Sequence, residues 1–163
     1  MHEVSLVTSL PTTAHQLAIP YSSADDLAQV FPAWSKEVLG LYKAEDKPGI
    51  VTRVPIGTSV ALLVGGELSL VEFIASAVRV ASPAAPLVID MRGKSESIQV
   101  AVEAALLSTK TPTKYKSESK DDKVSVQFLV DEVIDIDGAN VVATNIIRAR
   151  ELINMPANDL YPD

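Results

Sequence analysis

With 163 residues, the chain is long enough for one domain with its own core, and its 47% hydrophobic and 21% charged residues exclude the composition of a disordered chain. A net charge of -7, from 21 acidic against 14 basic residues, sets the field against phosphate backbones and anionic lipid, so neither nucleic acid nor a membrane surface is an expected partner. The absence of cysteine removes disulfides, thiolate nucleophiles and thiolate zinc sites, and fits a reducing cytoplasmic location.

The N-terminus, Met1-His2-Glu3-Val4, has neither the basic flank nor the apolar run of a signal peptide, and no later stretch approaches the roughly 18 to 20 apolar residues that span a bilayer. Val4 to Val7 and Leu17 to Ile19, separated and followed by Pro11, Thr12, Thr13 and Pro20, read as two short strands between turns. Ser22 to Pro32 suits a short helix or ordered loop that Pro32 stops. A second short helix follows over about Ser35 to Tyr42, with Val38, Leu39 and Tyr42 on one side, and Lys43 to Gly49, ending in Pro48-Gly49, reads as a turn.

Strand and helix patterns then alternate. Ile50 to Val54 is a strand, and Val60 to Val64 is an unbroken apolar run of buried-strand length, ended by Gly65-Gly66. Ser69 followed by Glu72 is the capping-box spacing, and Phe73, Ile74, Ala77 and Val78 continue one helical face. Leu87 to Ile89 is a further buried strand after Pro83 and Pro86. Ile98, Ala101, Val102, Ala105 and Leu106 then recur at helical spacing. Thr109 to Lys123 is polar and lysine-rich and reads as an exposed connection. Val124, Val126, Phe128 and Val130 alternate as a strand, and a long helix from Gly138 to Asn154 carries Val142, Ile146, Ala149 and Ile153.

This order implies an α/β fold: three layers, a mixed sheet and helices on both faces. The mixed sheet is expected because the first two strands are joined too closely for a helical crossover.

The residues offer little chemistry. His2 and His15 are the only histidines, and a base also needs a group that holds it. Asp131, Glu132, Asp135 and Asp137 could ligate a hard cation, but the spacing lacks the glycine and distal Glu of a calcium loop, and a solvated acidic turn is the default. Gly65-Gly66 lies between strand and helix, where backbone amides can hold a phosphate. The G-x-G-x-x-G pattern is missing, however, and Glu67 puts a negative charge at that place. Trp34 and Tyr42 read as packing before a ligand box, and Lys110, Lys114, Lys116 and Lys120 as a solvated loop.

The end of the chain is more specific. Ala149-Arg150-Glu151-Leu152-Ile153-Asn154-Met155-Pro156-Ala157-Asn158-Asp159-Leu160-Tyr161-Pro162 resembles the interdomain segment of the leucyl (cytosol) aminopeptidase family, with the core Asn-x-Pro-x-Asn-x-x-x-Pro at Asn154, Pro156, Asn158 and Pro162. Ala104-Ala105-Leu106-Leu107 followed by Tyr115-Lys116 carries a weaker similarity to a helix and turn of the same family. Physically, Pro156 and Pro162 fix φ and push the preceding residue toward extended geometry, which stops the helix and stiffens the exit.

The resemblance implies a macro-domain-like N-terminal domain over residues 1–137, with residues 138–163 forming the interdomain helix and the start of the linker to a catalytic domain that is not within this sequence. It further implies a metal-dependent exopeptidase with two divalent ions, zinc or manganese, assembled as a cytosolic homohexamer. The family's metal ligands and its Asn-Thr-Asp-x-Glu-Gly-Arg type motif belong to the catalytic domain. That motif does not occur here, so no catalytic, cofactor or metal residue is carried over and the chain alone is expected to be inactive. The alternative is a standalone macro-like module binding ADP-ribose or a related nucleotide near Gly65-Gly66.

Overall fold

A computed structural model describes residues 3–31, 34–108 and 123–153. The strands are β1 (Glu3–Val7), β2 (Gln16–Tyr21), β3 (Val51–Ile56), β4 (Ser59–Gly65), β5 (Leu87–Asp90) and β6 (Ser125–Leu129). The helices are α1 (Ala24–Val30), α2 (Lys36–Leu41), α3 (Leu70–Val80), α4 (Ile98–Leu107) and α5 (Asp137–Ile153), with a single 3-10 turn, Ser95–Ser97, leading into α4.

All six strands join one sheet in the order β1-β6-β5-β2-β4-β3. Every neighbouring pair is parallel except β3 and β4, which form an antiparallel hairpin pairing Ile56 with Ser59. Residues of β3 that face outward along this edge include Arg53 and Pro55, and a proline is tolerated on an edge strand because its missing N–H leaves no ladder bond unmade.

The alternation of side chains divides the core in two. Ala18, Leu62, Val64, Leu87, Ile89, Val126 and Phe128 face α3, α4 and α5, which contribute Ile74, Ala77, Val78, Ile98, Ala101, Val102, Ala105, Ala139 and Ala143. On the opposite face Ile19, Tyr21, Val54, Ala61 and Leu63 pack with Leu27 of α1, Leu39 of α2 and Trp34 between them. The result is the expected three-layer α/β arrangement with helices on both faces. At about 25 cal/mol per Å² of apolar surface removed from water, the larger cluster is the main source of stability.

The local signals that place these elements match the chain chemistry. Ser23, Ser35 and Ser69 each accept a backbone N–H in the first turn of α1, α2 and α3, which satisfies amides that have no partner within the helix. At Ser69 the box is complete: its hydroxyl accepts the Glu72 N–H at 3.3 Å and the Glu72 carboxylate accepts the Ser69 N–H at 3.0 Å. β4 is covered on both faces, so its Ala61 to Val64 run carries no polar alternation.

Three expectations change. The mixed character of the sheet does not come from the first two strands. β1 and β2 run parallel with β6 and β5 between them, and residues 8–15 join them without a helix. Eight residues reach roughly 26–30 Å, enough to return along a strand and cross three strand spacings of about 4.8 Å.

Second, Pro20 lies inside β2 and not in a turn. The Gln16 N–H donates toward β5, to the Pro86 carbonyl, and alternate residues face the same neighbour. Pro20 therefore lacks its N–H on the β5 side, where the ladder has already stopped at Ala18 and Ile89.

Third, the buried face of α5 is set by Ala139 and Ala143, while Val142 is 43% exposed and Ile153 82% exposed. Small side chains let α5 approach the alanine-rich α4, and the larger apolar residues are left to its flank. Of Val38, Leu39 and Tyr42, expected on one side of α2, Leu39 is buried and Tyr42 exposed.

Candidate functional site

In an open α/β sheet the place for a ligand is the crevice at the carboxyl ends of the strands, where neighbouring connections leave in opposite directions. Here that place lies between β2 and β5. The chain leaves β2 through α1 and α2 on one face toward β3 and β4, and leaves β5 through α4 on the other face toward β6. The rim therefore comprises Tyr21, Ser22 and Ser23 after β2, Gly65-Gly66-Glu67 after β4, Asp90 to Lys94 after β5, and Asp131 and Glu132 after β6.

Several polar groups at this rim pair with one another or with a near neighbour. The Asp90 carboxylate accepts the Arg92 backbone N–H at 3.1 Å and two guanidinium bonds, from Nε at 3.0 Å and from an Nη at 2.6 Å. Those guanidinium bonds are the main reason that the Asp90 carboxyl is held below its ordinary value and Arg92 above its own. Next along the chain, Gly93 at φ +71° donates its N–H to the Asp131 carboxylate at 2.6 Å. On β2's side Ser22 and Ser23 both donate to Asp26, at 2.9 and 2.7 Å, and depress its pKa. Tyr21 is buried, and its phenol is held above the ordinary value by that burial first and then by the charges of Asp46 and Asp25.

The residues singled out from the sequence do not converge on a reaction centre. Gly65 and Gly66 turn as expected from β4 toward α3, with residues 45–48 packed closely against them. A Cβ on Gly65 would stand 2.4 Å from the Glu45 carbonyl oxygen and 2.6 Å from that of Lys47, and one on Gly66 2.6 Å from Pro48 Cα. The Gly66 N–H is used by the Tyr21 carbonyl and the Gly65 N–H by that of Ile50. No amide of this pair is left for a phosphate.

The acidic segment after β6 serves the fold. Asp131 holds Gly93, the Asp135 side chain accepts the Asp137 N–H at 2.8 Å at the start of α5, and the Asp135 carbonyl accepts from Gln99 at 2.8 Å. Among the described residues no group of three or more His, Asp or Glu is placed to hold a metal ion.

His15 sits at the opposite end of the sheet, before β2. Its Nδ1 lies 2.9 Å from the Thr13 carbonyl oxygen and 3.3 Å from the Ser59 hydroxyl. The carbonyl can only accept, so Nδ1 carries the proton that it donates there and cannot take one from Ser59. This serine and histidine are not a nucleophile and base.

Trp34 is buried and stacks at 4.8 Å on Phe31, while Tyr42 is exposed at the end of α2, so the two form no ligand box. His2, the lysines at 110, 114, 116 and 120, Tyr115-Lys116, and the motif residues Asn154, Pro156, Asn158 and Pro162 lie outside the described residues.

Sequence reading missed the Asp90-Arg92-Gly93-Asp131 constellation, whose members come from two strand ends 38 residues apart. The only sequence signal for it is that Asp90 and Asp131 each directly follow the apolar run of a buried strand.

No protein-family model matches the chain, and no curated protein sequence matches it. Its fold does match solved structures. A mutant of tomato leucine aminopeptidase superposes with a TM-score of 0.73 at 17% identity, over 97% of this chain and 39% of that one. The bottromycin maturation enzyme BotP gives 0.58 at 21% identity, over 92% and 35%. The cytosol aminopeptidase of Coxiella burnetii gives 0.62 at 15% identity, over 94% and 34%. The chain thus spans little more than a third of the proteins it resembles, and at these identities it is the α/β fold of that part of the leucine and cytosol aminopeptidases that it shares.

Proposed function

We propose that this chain is the non-catalytic N-terminal domain of a leucyl aminopeptidase, a metal-dependent enzyme that removes N-terminal amino acids. The observation that carries the reading is the fold likeness over nearly the whole chain to two aminopeptidases. It is supported independently by the resemblance of the string Asn154, Pro156, Asn158 and Pro162 to the family's linker. In this reading the chain supports assembly of a cytoplasmic homohexamer and shapes access to the active site. Residues 138–163 are the interdomain helix and the start of the linker, and two divalent ions, zinc or manganese, are held by a catalytic domain that follows.

The chemistry of the described residues is in keeping with an accessory role. The carboxylates of Asp90, Asp131 and Asp26 are engaged with Arg92, Gly93 and the serines that precede α1. The alternative, an ADP-ribose module, draws no support from Gly65-Gly66, whose N–H groups are taken by the Tyr21 and Ile50 carbonyls.

The test is to express both the 163-residue chain and the complete reading frame that contains it. The complete product is expected to hydrolyse Leu-p-nitroanilide with zinc or manganese, and the 163-residue chain to show none. A complete product without that activity, or activity in the chain alone, overturns the assignment.

A further inference from the structure

We infer that residues 44–48 form a strap that lies closed over the carboxyl end of β4 and opens as a unit while the sheet stays folded. Each of its two ends is marked by a residue at positive φ. Lys43 has φ +53° and Gly49 φ +78°, and Lys43 is the one non-glycine with positive φ among the described residues. Between these points the strap is anchored mainly by its backbone, with Ala44 packed at the edge of the second core cluster and the Pro48 ring against Gly66. Ala44 is half-buried, and Glu45, Asp46, Lys47 and Pro48 are all exposed, so no side chain of the strap's outer part enters the core.

What holds it down is its fit to two glycines. The carbonyls of Glu45 and Lys47 and the ring of Pro48 occupy the volume that side chains on Gly65 and Gly66 would fill. The Gly49 N–H donates to the Gly65 carbonyl at 3.1 Å, and the Ile50 N–H closes the turn on Lys47 at 3.1 Å. The Lys47 to Glu45 ion pair, at 2.8 Å, is exposed and lies within the strap, so it stiffens the segment without tying it to the sheet. A segment with few buried apolar contacts and solvent-facing backbone bonds belongs to the low-stability end of a fold.

The place it covers is the part of the rim that follows β4. Asp46 stands near enough to Tyr21 to disfavour its phenolate. Lifting the strap exposes the β4 to α3 turn at Gly65 and Gly66, while β4 keeps its pairing with β2. A ligand for this crevice would therefore meet the open form only, with an apparent affinity reduced by the fraction of molecules that are open.

Native-state hydrogen exchange on the intact chain tests this. The Gly49 and Ile50 amides are expected to exchange on the order of 100-fold faster than the amides of β4, with little dependence on low urea, as local opening requires. Exchange of these two amides only through global unfolding, at the β4 rate and with the same urea dependence, overturns the strap. Gly65→Ala supplies the second arm, because its Cβ can be accommodated only if the Glu45 and Lys47 carbonyls move away. The expected result is faster exchange at Gly49 and Ile50 with protection retained in β2, β4 and β5. Uniform loss of protection across the sheet, or unfolding of the variant, would show that the contact is part of the core and overturn the inference.

Discussion

Gln16 is one of three buried polar residues among the described residues, and both polar atoms of its amide are engaged. Its Nε2 donates to the Ser82 and Ala85 carbonyls at 2.9 and 2.8 Å, and its Oε1 accepts the Ser82 N–H at 2.8 Å. These bonds pin the turn that brings the chain from α3 into β5 to the start of β2, 66 to 69 residues away in sequence. Gln16→Leu keeps the volume and strips all three, leaving two carbonyls and one amide of a half-buried turn without partners. The expected loss is about 1–3 kcal/mol, read as a lower urea midpoint at unchanged slope, and an unchanged midpoint would show that water replaces the amide without cost. Nothing in the sequence marks Gln16 as different from Gln99 or Gln127. Its role is created by the parallel pairing of β2 with β5, which is a property of the fold and not of the residue's neighbours in the chain.

At the scale of elements, what could be read in advance follows from how local the cause is. The Ser69 and Glu72 box, the unbroken Val60 to Val64 run and the alternation through Val124, Val126, Phe128 and Val130 are local causes, and α3, β4 and β6 stand where these patterns put them. Ser69→Ala removes the hydroxyl that accepts the Glu72 N–H and loosens the return bond from the carboxylate. The expected cost of the lost cap is about 1 kcal/mol, measured as a shift in the urea midpoint, whereas Ser69→Asp, which restores an acceptor at the cap, is expected to recover most of it. If the alanine variant matched the parent, α3 would be held by its packing alone. The face of α5 was not legible in the same way. Val142, Ile146, Ala149 and Ile153 recur at helical spacing, but so do Ala139, Ala143, Ile146 and Arg150, and hydrophobicity favours the first set. Close approach to α4 decides for the second, because a helix rich in alanine accepts a neighbour only where that neighbour is also small. Arg150 is on this side as well, donating to the Leu107 carbonyl at the end of α4. The rim, too, was legible only in pieces, since Asp90 and Asp131 become neighbours of one loop through the pairing of β5 with β6.

Across the whole molecule the charges that the fold organises predict how stability depends on pH. Asp26, Glu37, Glu72 and Asp90 are all held below their ordinary values, the first three mainly by serine hydroxyls at helix starts and Asp90 mainly by the Arg92 guanidinium. For a group whose folded pKa is depressed, the unfolded chain takes up its proton first as pH falls. The stabilisation is therefore complete above the ordinary values, 3.8 for Asp and 4.5 for Glu, and is lost as pH drops through and below them. Tyr21 works at the other end. Its folded pKa is raised above 10.0, so its contribution is undiminished below pH 10 and declines once the unfolded chain can ionise the phenol while the folded chain cannot. The urea midpoint is thus expected to form a plateau between about pH 5 and 9, with a fall below it and a second, smaller fall above. Tyr21→Phe, which cannot ionise, is expected to lessen the alkaline fall and leave the acid limb as it was, because the four carboxylates lie on other groups' hydrogen bonds. An acid limb that moved with Tyr21→Phe would mean that the two ends of the profile are coupled through the acidic rim and do not titrate as separate local clusters.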